Sequence, residues 1–173
     1  MSAYVIRRRK TARKREKITV LKLAAGFVCA CTAGFVLGVA ARMWDVTSPL
    51  LSVITSQLTL WFLICCAIAV FSPTPLSAGF FVTCFGLAML TGYYRTARTA
   101  GLYYRAYIAR GWYKFCVLLP PAGYAAWYAK GKGKFAPLLK AGIFFCRVTS
   151  QLLLFEVNVW DVVMWYLLLK ILK

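Results

Sequence analysis

The sequence predicts an all-α, polytopic integral membrane protein: a bundle of six transmembrane helices with one amphipathic helix at the membrane interface. Composition is the first reason, because 62% of the 173 residues are hydrophobic and only 15% are charged, whereas soluble domains are about 45–50% apolar and about 25% charged. Length is the second reason, since at about 20 residues per crossing the chain accommodates five or six spans. A five-span bundle with one re-entrant segment is the alternative.

Positive charge at the start of the chain divides it into two regions. Residues 1–17 form a basic tail, which we expect to be disordered and cytoplasmic, and residues 18–173 form a single transmembrane helical domain. A basic block directly ahead of an apolar segment keeps that end inside the cell, so the predicted location is the cell membrane, inner or plasma. The mitochondrial inner membrane is a weaker alternative, because the tail is rich in Arg but not in Ser. The basic residues of the tail are Arg7, Arg8, Arg9, Lys10, Arg13, Lys14, Arg15 and Lys17.

The first predicted span, about residues 18–41, has a small residue at every fourth position of one stretch. Residues four apart lie on one face of a helix, and a stripe of small side chains lets another membrane helix approach closely. We expect this small-residue ridge to pack against another helix of the same chain, and docking of a separate membrane subunit is the alternative. The ridge consists of Gly26, Ala30, Gly34 and Gly38.

The second and third spans, at about residues 49–71 and 76–94, form a predicted hairpin. The turn between them contains two prolines within four residues, which favours a tight connection. Gln57 and Trp61 lie one helical turn apart inside the second span. Because Trp prefers the membrane interface, Trp61 is expected to face protein or a cavity. Packing is the favoured role for both side chains, and contact with a ligand is the alternative.

Between residues 95 and 114 the sequence becomes basic and aromatic. On a helix the arginines fall on one side and apolar residues fall opposite, so the pattern predicts an amphipathic helix in the membrane interface. After three spans this basic-aromatic shelf is non-cytoplasmic, against the positive-inside preference. The six-span topology nevertheless places fourteen basic residues on the cytoplasmic side and seven opposite. The shelf residues are Arg95, Arg98, Arg105, Tyr104 and Tyr107.

The last three spans are predicted at about residues 112–129, 135–149 and 152–169. Pro120 and Pro121 interrupt the first of these, and two adjacent prolines remove two backbone donors, so this helix must kink or break. Broken helices at mid-membrane line the substrate sites of many transporters. A purely structural kink is the favoured interpretation here.

The last two spans contain ionisable groups, which cost about 2.5–3.5 kcal/mol each at membrane depth unless they have a partner. With a turn near residue 151, Arg147 is expected at the depth of Glu156. Lys140 is expected at the depth of Asp161. Two structural ion pairs are the favoured interpretation, and part of a solute or cation pathway is the alternative. The candidate pathway residues, including the two of the second span, are Asp161, Asn158, Glu156, Lys140, Arg147, Trp61 and Gln57.

The residue inventory narrows the chemistry further. The chain contains no His and only four acidic residues, which excludes His-ligated metal sites and Ser-His-Asp triads. Its seven Cys lie in or beside apolar segments and are interpreted as small buried hydrophobes rather than disulfides or metal ligands. We therefore expect no catalytic residues, no metal and no cofactor, and a non-catalytic protein rather than an enzyme.

Two functions remain after these exclusions. In the first, the protein is a non-catalytic transport or solute-binding subunit of a larger membrane complex, with an additional membrane protein subunit as its partner. In the second, it is an assembly or scaffold subunit that docks partner helices and uses its basic tail to bind anionic lipid, nucleic acid or an acidic partner. Membrane lipids, including anionic lipids, are expected partners in both cases, and nucleic acid is the least favoured.

Overall fold

The computed structural model describes residues 20–56, 58–131, 133, 135–154 and 159–172. This part of the chain is built from helices without a strand, so the all-α prediction is confirmed. The basic tail of residues 1–17 lies outside the described residues, as do Gln57, Glu156 and Asn158. The helices are α1 (Val20–Thr47), α2 (Pro49–Ser56), α3 (Leu58–Phe71), α4 (Pro75–Thr99), α5 (Ala106–Phe115), α6 (Leu119–Ala129), α7 (Ala136–Leu154) and α8 (Val159–Leu172).

Within the described residues we group these helices into six rods: α2 with α3, which lie on either side of Gln57 in the chain, α5 with α6, which are joined by a 3-10 turn, Cys116–Leu118, and the other four helices singly. Two hydrogen bonds mark the opposite ends of the bundle. Trp127 Nε1 donates to the Ser72 carbonyl oxygen at 2.8 Å, and this end is termed the Lys130 end. Arg42 Nη1 donates to the Tyr93 hydroxyl at 3.1 Å, and this end is termed the Arg42 end. Successive rods run between these two ends.

The small-residue ridge of α1 packs against α4 within the same chain. A Cβ atom added at Gly34 or Gly38 would collide with a backbone carbonyl oxygen of α4, that of Phe85 or of Met89. Ala30 is buried in the same interface. The two helices therefore approach to backbone contact, as small residues at fourth positions allow.

Local sequence signals define both ends of α4. Thr74 is the N-cap: its hydroxyl accepts from the Ser77 backbone N–H at 3.1 Å, while the Ser77 hydroxyl accepts from the Thr74 backbone N–H. Pro75 occupies the first turn, where its missing N–H costs nothing. At the other end Gly101 has φ 66°, and Leu102 N–H donates to the Ala97 carbonyl at 2.8 Å. This is a Schellman termination, which favours glycine because the left-handed backbone is strained for other residues.

The helix end at Gly101 corrects the predicted interfacial helix over residues 95–114. Arg95 and Arg98 lie on the last turns of α4, a loop follows, and Arg105 is the N-cap of α5. The amphipathic pattern of this segment therefore belongs to two helices rather than one. A glycine after a basic last turn was the sequence signal for the stop.

The double proline starts a helix rather than kinking one. α5 ends at Phe115, the 3-10 turn follows, and Pro120 lies in the first turn of α6. The break packs closely on α4, because a Cβ atom at Gly79 would lie 2.7 Å from the Pro120 carbonyl oxygen. The predicted break in this span is thus present, and it brings α6 against α4.

Two helices of the described part, Leu21–Thr47 and Pro75–Thr99, are long and apolar enough to cross a membrane. Large apolar side chains such as Leu21, Val28 and Val36 are exposed on the first of them. These features suggest association with a membrane. The number of crossings stays a prediction.

Candidate ligand-binding cavity

A cavity of about 750 Å³, open to the outside along part of its wall, lies between the middle helices of the bundle, α3 to α7. Most of its wall is apolar or aromatic, as in the pockets that hold small organic ligands. Such pockets are typically about 300–1,000 Å³, so the volume suits a ligand rather than a few water molecules. Representative wall residues are Phe62, Phe85, Leu90, Trp112, Leu119 and Ile143.

Polar groups of the cavity gather at the Arg42 end of the bundle. Two arginines line the cavity there, Arg42 from α1 and Arg105 from the N-cap of α5. Among the described lining residues they are the charged ones. The cavity therefore has a cationic, tyrosine-rich end and an apolar remainder. The tyrosines are Tyr93, Tyr94, Tyr103 and Tyr104.

Arg42 connects three elements around this end. Its Nη1 donates to the Tyr93 hydroxyl at 3.1 Å, and its Nη2 donates to the Tyr103 carbonyl at 2.9 Å. It also forms an ion pair with Asp45 at 3.7 Å, three residues further along α1. These contacts connect α1 and α4 to the loop before α5, so a single guanidinium holds this loop against the bundle.

Asp45 is the acidic centre of the same cluster. Its carboxylate accepts from the Tyr93 hydroxyl and, at 3.4 Å, from Thr55 Oγ1. Trp61 Nε1 donates to the Thr55 carbonyl at 2.7 Å, across the junction of α2 and α3. The indole thereby satisfies a carbonyl that the interrupted helix leaves without its usual partner. Trp61, predicted to face protein or a cavity, lines the cavity as well.

The five shelf residues separate into two groups. Tyr104 and Arg105 line the cavity, and Tyr107 accepts a hydrogen bond from Arg105 Nη1 at 3.2 Å. Arg95 and Arg98 are exposed near the end of α4 and do not line it. The structure thus brings part of the shelf to the cavity and leaves the rest on the surface.

The charged hairpin of α7 and α8 has a different register from the predicted one. Arg147 Nη2 lies 3.7 Å from Asp161 Oδ1, and the two side chains are 1% and 0% exposed. The expected pairing of Lys140 with Asp161 is therefore wrong. α7 continues to Leu154, past the turn expected near residue 151, so Arg147 rather than Lys140 meets Asp161. Lys140 is half-buried on the second turn of α7.

The cluster around Arg42 and Asp45 was missed as a candidate site. The first span was predicted to end near residue 41, whereas α1 continues through Arg42 and Asp45 to Thr47. A useful signal was present, since an Arg and an Asp three residues apart share one face of a helix. The partner, Tyr93, is 48 residues away from Asp45, and no local pattern could identify it.

Thiols form part of the cavity wall, namely Cys65, Cys66, Cys116 and Cys146. All seven cysteines of the chain are free. In the described part of the chain, no group of three or more Cys, Asp or Glu side chains is arranged to hold a metal ion. The wall thiols are thus small, weakly polar groups that suit contact with hydrocarbon.

Comparison with protein-family models, with curated proteins and with solved structures gave no match. The chemistry of the cavity therefore carries the argument for function.

Proposed function

We propose that this protein is a membrane-embedded solute-binding or transport subunit, and that the cavity between α3 and α7 is its binding site. One observation carries the proposal: an apolar cavity of about 750 Å³ with two arginines at one end. A concave, mostly apolar pocket with a few polar groups gathered at one place is typical of ligand-binding sites. The charged and tyrosine side chains of the cavity wall lie at the Arg42 end and the rest of the wall is apolar, so a ligand with one polar end would bind in a single orientation.

The proposal includes six membrane crossings, one for each rod, with the basic tail in the cytoplasm. The alternating direction of the rods and the apolar outer face of α1 support it. Positive charge supports the orientation, because the tail and the Lys130 end together carry most of the basic residues. In this orientation the cationic end of the cavity lies near the non-cytoplasmic surface.

A cavity-filling variant with a matched control tests the proposal. Gly142 lines the cavity, and a Cβ atom there would meet nothing within 4 Å. Gly111 has equally open surroundings on α5 but does not line the cavity. The purified wild-type, Gly142→Leu and Gly111→Leu proteins are extracted with organic solvent, and the co-purified small molecules are measured by mass spectrometry.

We expect a stoichiometric molecule in the wild-type and Gly111→Leu proteins and its loss from Gly142→Leu. A wild-type protein that carries no molecule beyond bulk lipid, in the same amount as Gly142→Leu, would contradict the proposal. Co-purification of a second membrane protein with all three variants would support the transport form, in which a partner subunit supplies the energy.

The assembly function remains the second candidate. It depends on the small-residue ridge or on the basic tail to hold a partner. The ridge is already packed against α4 in the same chain, so an incoming helix would have to displace α4. The tail is thus the part of the chain on which this alternative rests, and its partner would be an anionic surface.

A further inference from the structure

We infer that the ligand of this cavity is a single-chain amphiphile with an anionic head group, such as a carboxylate or a phosphate on a long hydrocarbon chain. The inference rests on the proposed solute-binding function and names its substrate class. The head group would lie at Arg105 and Arg42, and the chain would extend along α4 toward the Lys130 end.

The charge balance of the cavity favours an anion. Arg42 is already paired with Asp45, whereas Arg105 donates to a neutral tyrosine hydroxyl. The lining therefore presents one positive charge that Asp45 does not balance. A carboxylate or phosphate would pair with the Arg105 guanidinium, and arginine recognises both groups well.

The shape of the apolar part favours a chain. Lining residues follow α4 from Val82 to Tyr94, which is about 18 Å at 1.5 Å per residue. Over this length the wall consists mainly of aromatic, aliphatic and thiol side chains, so an extended polar solute would lose its hydrogen bonds to water without replacing them. A hydrocarbon chain has no hydrogen bonds to water to lose, and its burial is favourable along its whole length.

The volume favours one chain over two. A methylene group is similar in size to a water molecule, which occupies about 30 Å³ in the liquid. A chain of about sixteen carbons then needs about 480 Å³ and fits the cavity of about 750 Å³ with its head group. Two such chains would need about 960 Å³, so part of the second chain would project beyond the cavity.

Head-group selectivity on the wild-type protein is the first test. The protein is placed in nanodiscs of phosphatidylcholine, and binding of radiolabelled palmitate is competed with sixteen-carbon compounds that share the chain. We expect competition by palmitate and hexadecyl phosphate, and at least about tenfold weaker competition by hexadecanol and hexadecyltrimethylammonium, since a hydrogen bond to a charged group contributes about this factor.

The second test uses two matched charge neutralisations. Arg105→Gln removes the arginine of the cavity that Asp45 does not balance, and Arg95→Gln removes an exposed arginine at the same end of the bundle that does not line the cavity. We expect Arg105→Gln to weaken palmitate binding about tenfold without changing hexadecanol binding, and Arg95→Gln to leave both unchanged. Both positions are exposed, so neither substitution threatens the fold.

The outcomes separate the inference from the proposed function. Equal competition by hexadecanol and palmitate, or equal effects of Arg105→Gln and Arg95→Gln, would overturn the anionic head group. If Gly142→Leu still abolished binding in that case, the cavity would remain the binding site. Absence of binding by all four compounds overturns the amphiphile assignment, and an unchanged extract from Gly142→Leu then contradicts the proposed function as well.

Discussion

In the part of the chain that the structure describes, buried arginine and aspartate side chains lie in two clusters. Arg147 and Asp161 are nearly inaccessible to solvent and lie 3.7 Å apart. Arg42 and Asp45 are 13% and 10% exposed and share the Tyr93 hydroxyl as a common neighbour. Charges removed from water are tolerated when they are paired and hydrogen-bonded. The first cluster joins α7 to α8, and the second borders the cavity.

The Arg147 and Asp161 pair predicts a strong dependence of each residue on the other. Removing one partner of a buried pair leaves an uncompensated charge and typically costs about 3–5 kcal/mol, whereas removing both is much milder. We expect Arg147→Met and Asp161→Leu to lower the thermal midpoint in detergent strongly, and the double variant to regain most of the loss. Lys140→Met is the control. In the double variant with Asp161→Leu, Lys140→Met should not restore the thermal midpoint. If it did, Lys140 rather than Arg147 would be the partner of Asp161.

The Tyr93 hydroxyl gives a second prediction. It donates to Asp45 and accepts from Arg42, so Tyr93→Phe leaves both charged groups with one partner fewer. Loss of a buried hydrogen-bond partner costs about 1–3 kcal/mol. Tyr94→Phe is the matched control, because its neighbouring ring packs against Tyr93 and Tyr104. We expect a lower free energy of unfolding for Tyr93→Phe than for Tyr94→Phe, and equal values would refute the importance of this cluster.

Helices of this bundle are positioned by glycine contacts at least as much as by large apolar side chains. α4 lies at the centre: α1 contacts one side through Gly34 and Gly38, and α6 contacts another through Gly79 and Gly123. Between apolar helices in a membrane, close backbone approach replaces the hydrophobic driving force that water would supply. The positions of α1 and α6, and therefore one wall of the cavity, depend on these glycines.

A methyl group added to the ridge should separate α1 from α4. Gly34→Ala would place its Cβ atom against the Phe85 carbonyl oxygen, which belongs to rigid helical backbone. Overpacking of this kind typically costs about 1–3 kcal/mol. Gly111→Ala has open space around it and should instead stabilise its helix by about 0.5–1 kcal/mol, because alanine loses less backbone entropy than glycine. We expect Gly34→Ala to lower the thermal midpoint and Gly111→Ala to raise it. An unchanged thermal midpoint for Gly34→Ala would contradict the observed packing.

Sequence patterns predicted most of the helices but not their register or their polar neighbours. The turn containing Pro73 and Pro75, and the break at Pro120, were predictable because proline acts locally on its own backbone. The register of α7 and α8 was not predictable, because residues 149–152 are compatible with a helix. In the structure α7 continues through them to Leu154, and Arg147 pairs with Asp161. The cavity was not predictable either, because its wall combines residues of seven helices, from Arg42 of α1 to Cys146 of α7.

The distribution of charge over the whole bundle is uneven in a way that bears on its orientation. The Arg42 end carries Arg95, Arg98 and Arg105. The Lys130 end carries Lys130 over the Phe71 ring at 4.6 Å and Lys170 over the Tyr166 ring at 4.9 Å. Basic residues at both ends weaken the usual asymmetry, so the tail ahead of α1 decides the predicted orientation.

Labelling of one cysteine at each end tests the six-span topology with the N-terminus inside. Ala100 is exposed at the Arg42 end and has an ordinary backbone conformation, whereas a side chain at the neighbouring Gly101 would be strained by its φ of 66°. Gly133 is exposed at the Lys130 end with open surroundings.

In a background whose seven native cysteines are replaced by alanine, an impermeant maleimide should label Ala100→Cys only from outside the cell. Gly133→Cys should react only after the membrane is opened, because three further crossings separate α1 from the loop after α6. Labelling of both cysteines from one face would show that the rod between them does not cross the membrane, and if that face is the cytoplasmic one, the cationic end of the cavity lies on the cytoplasmic side.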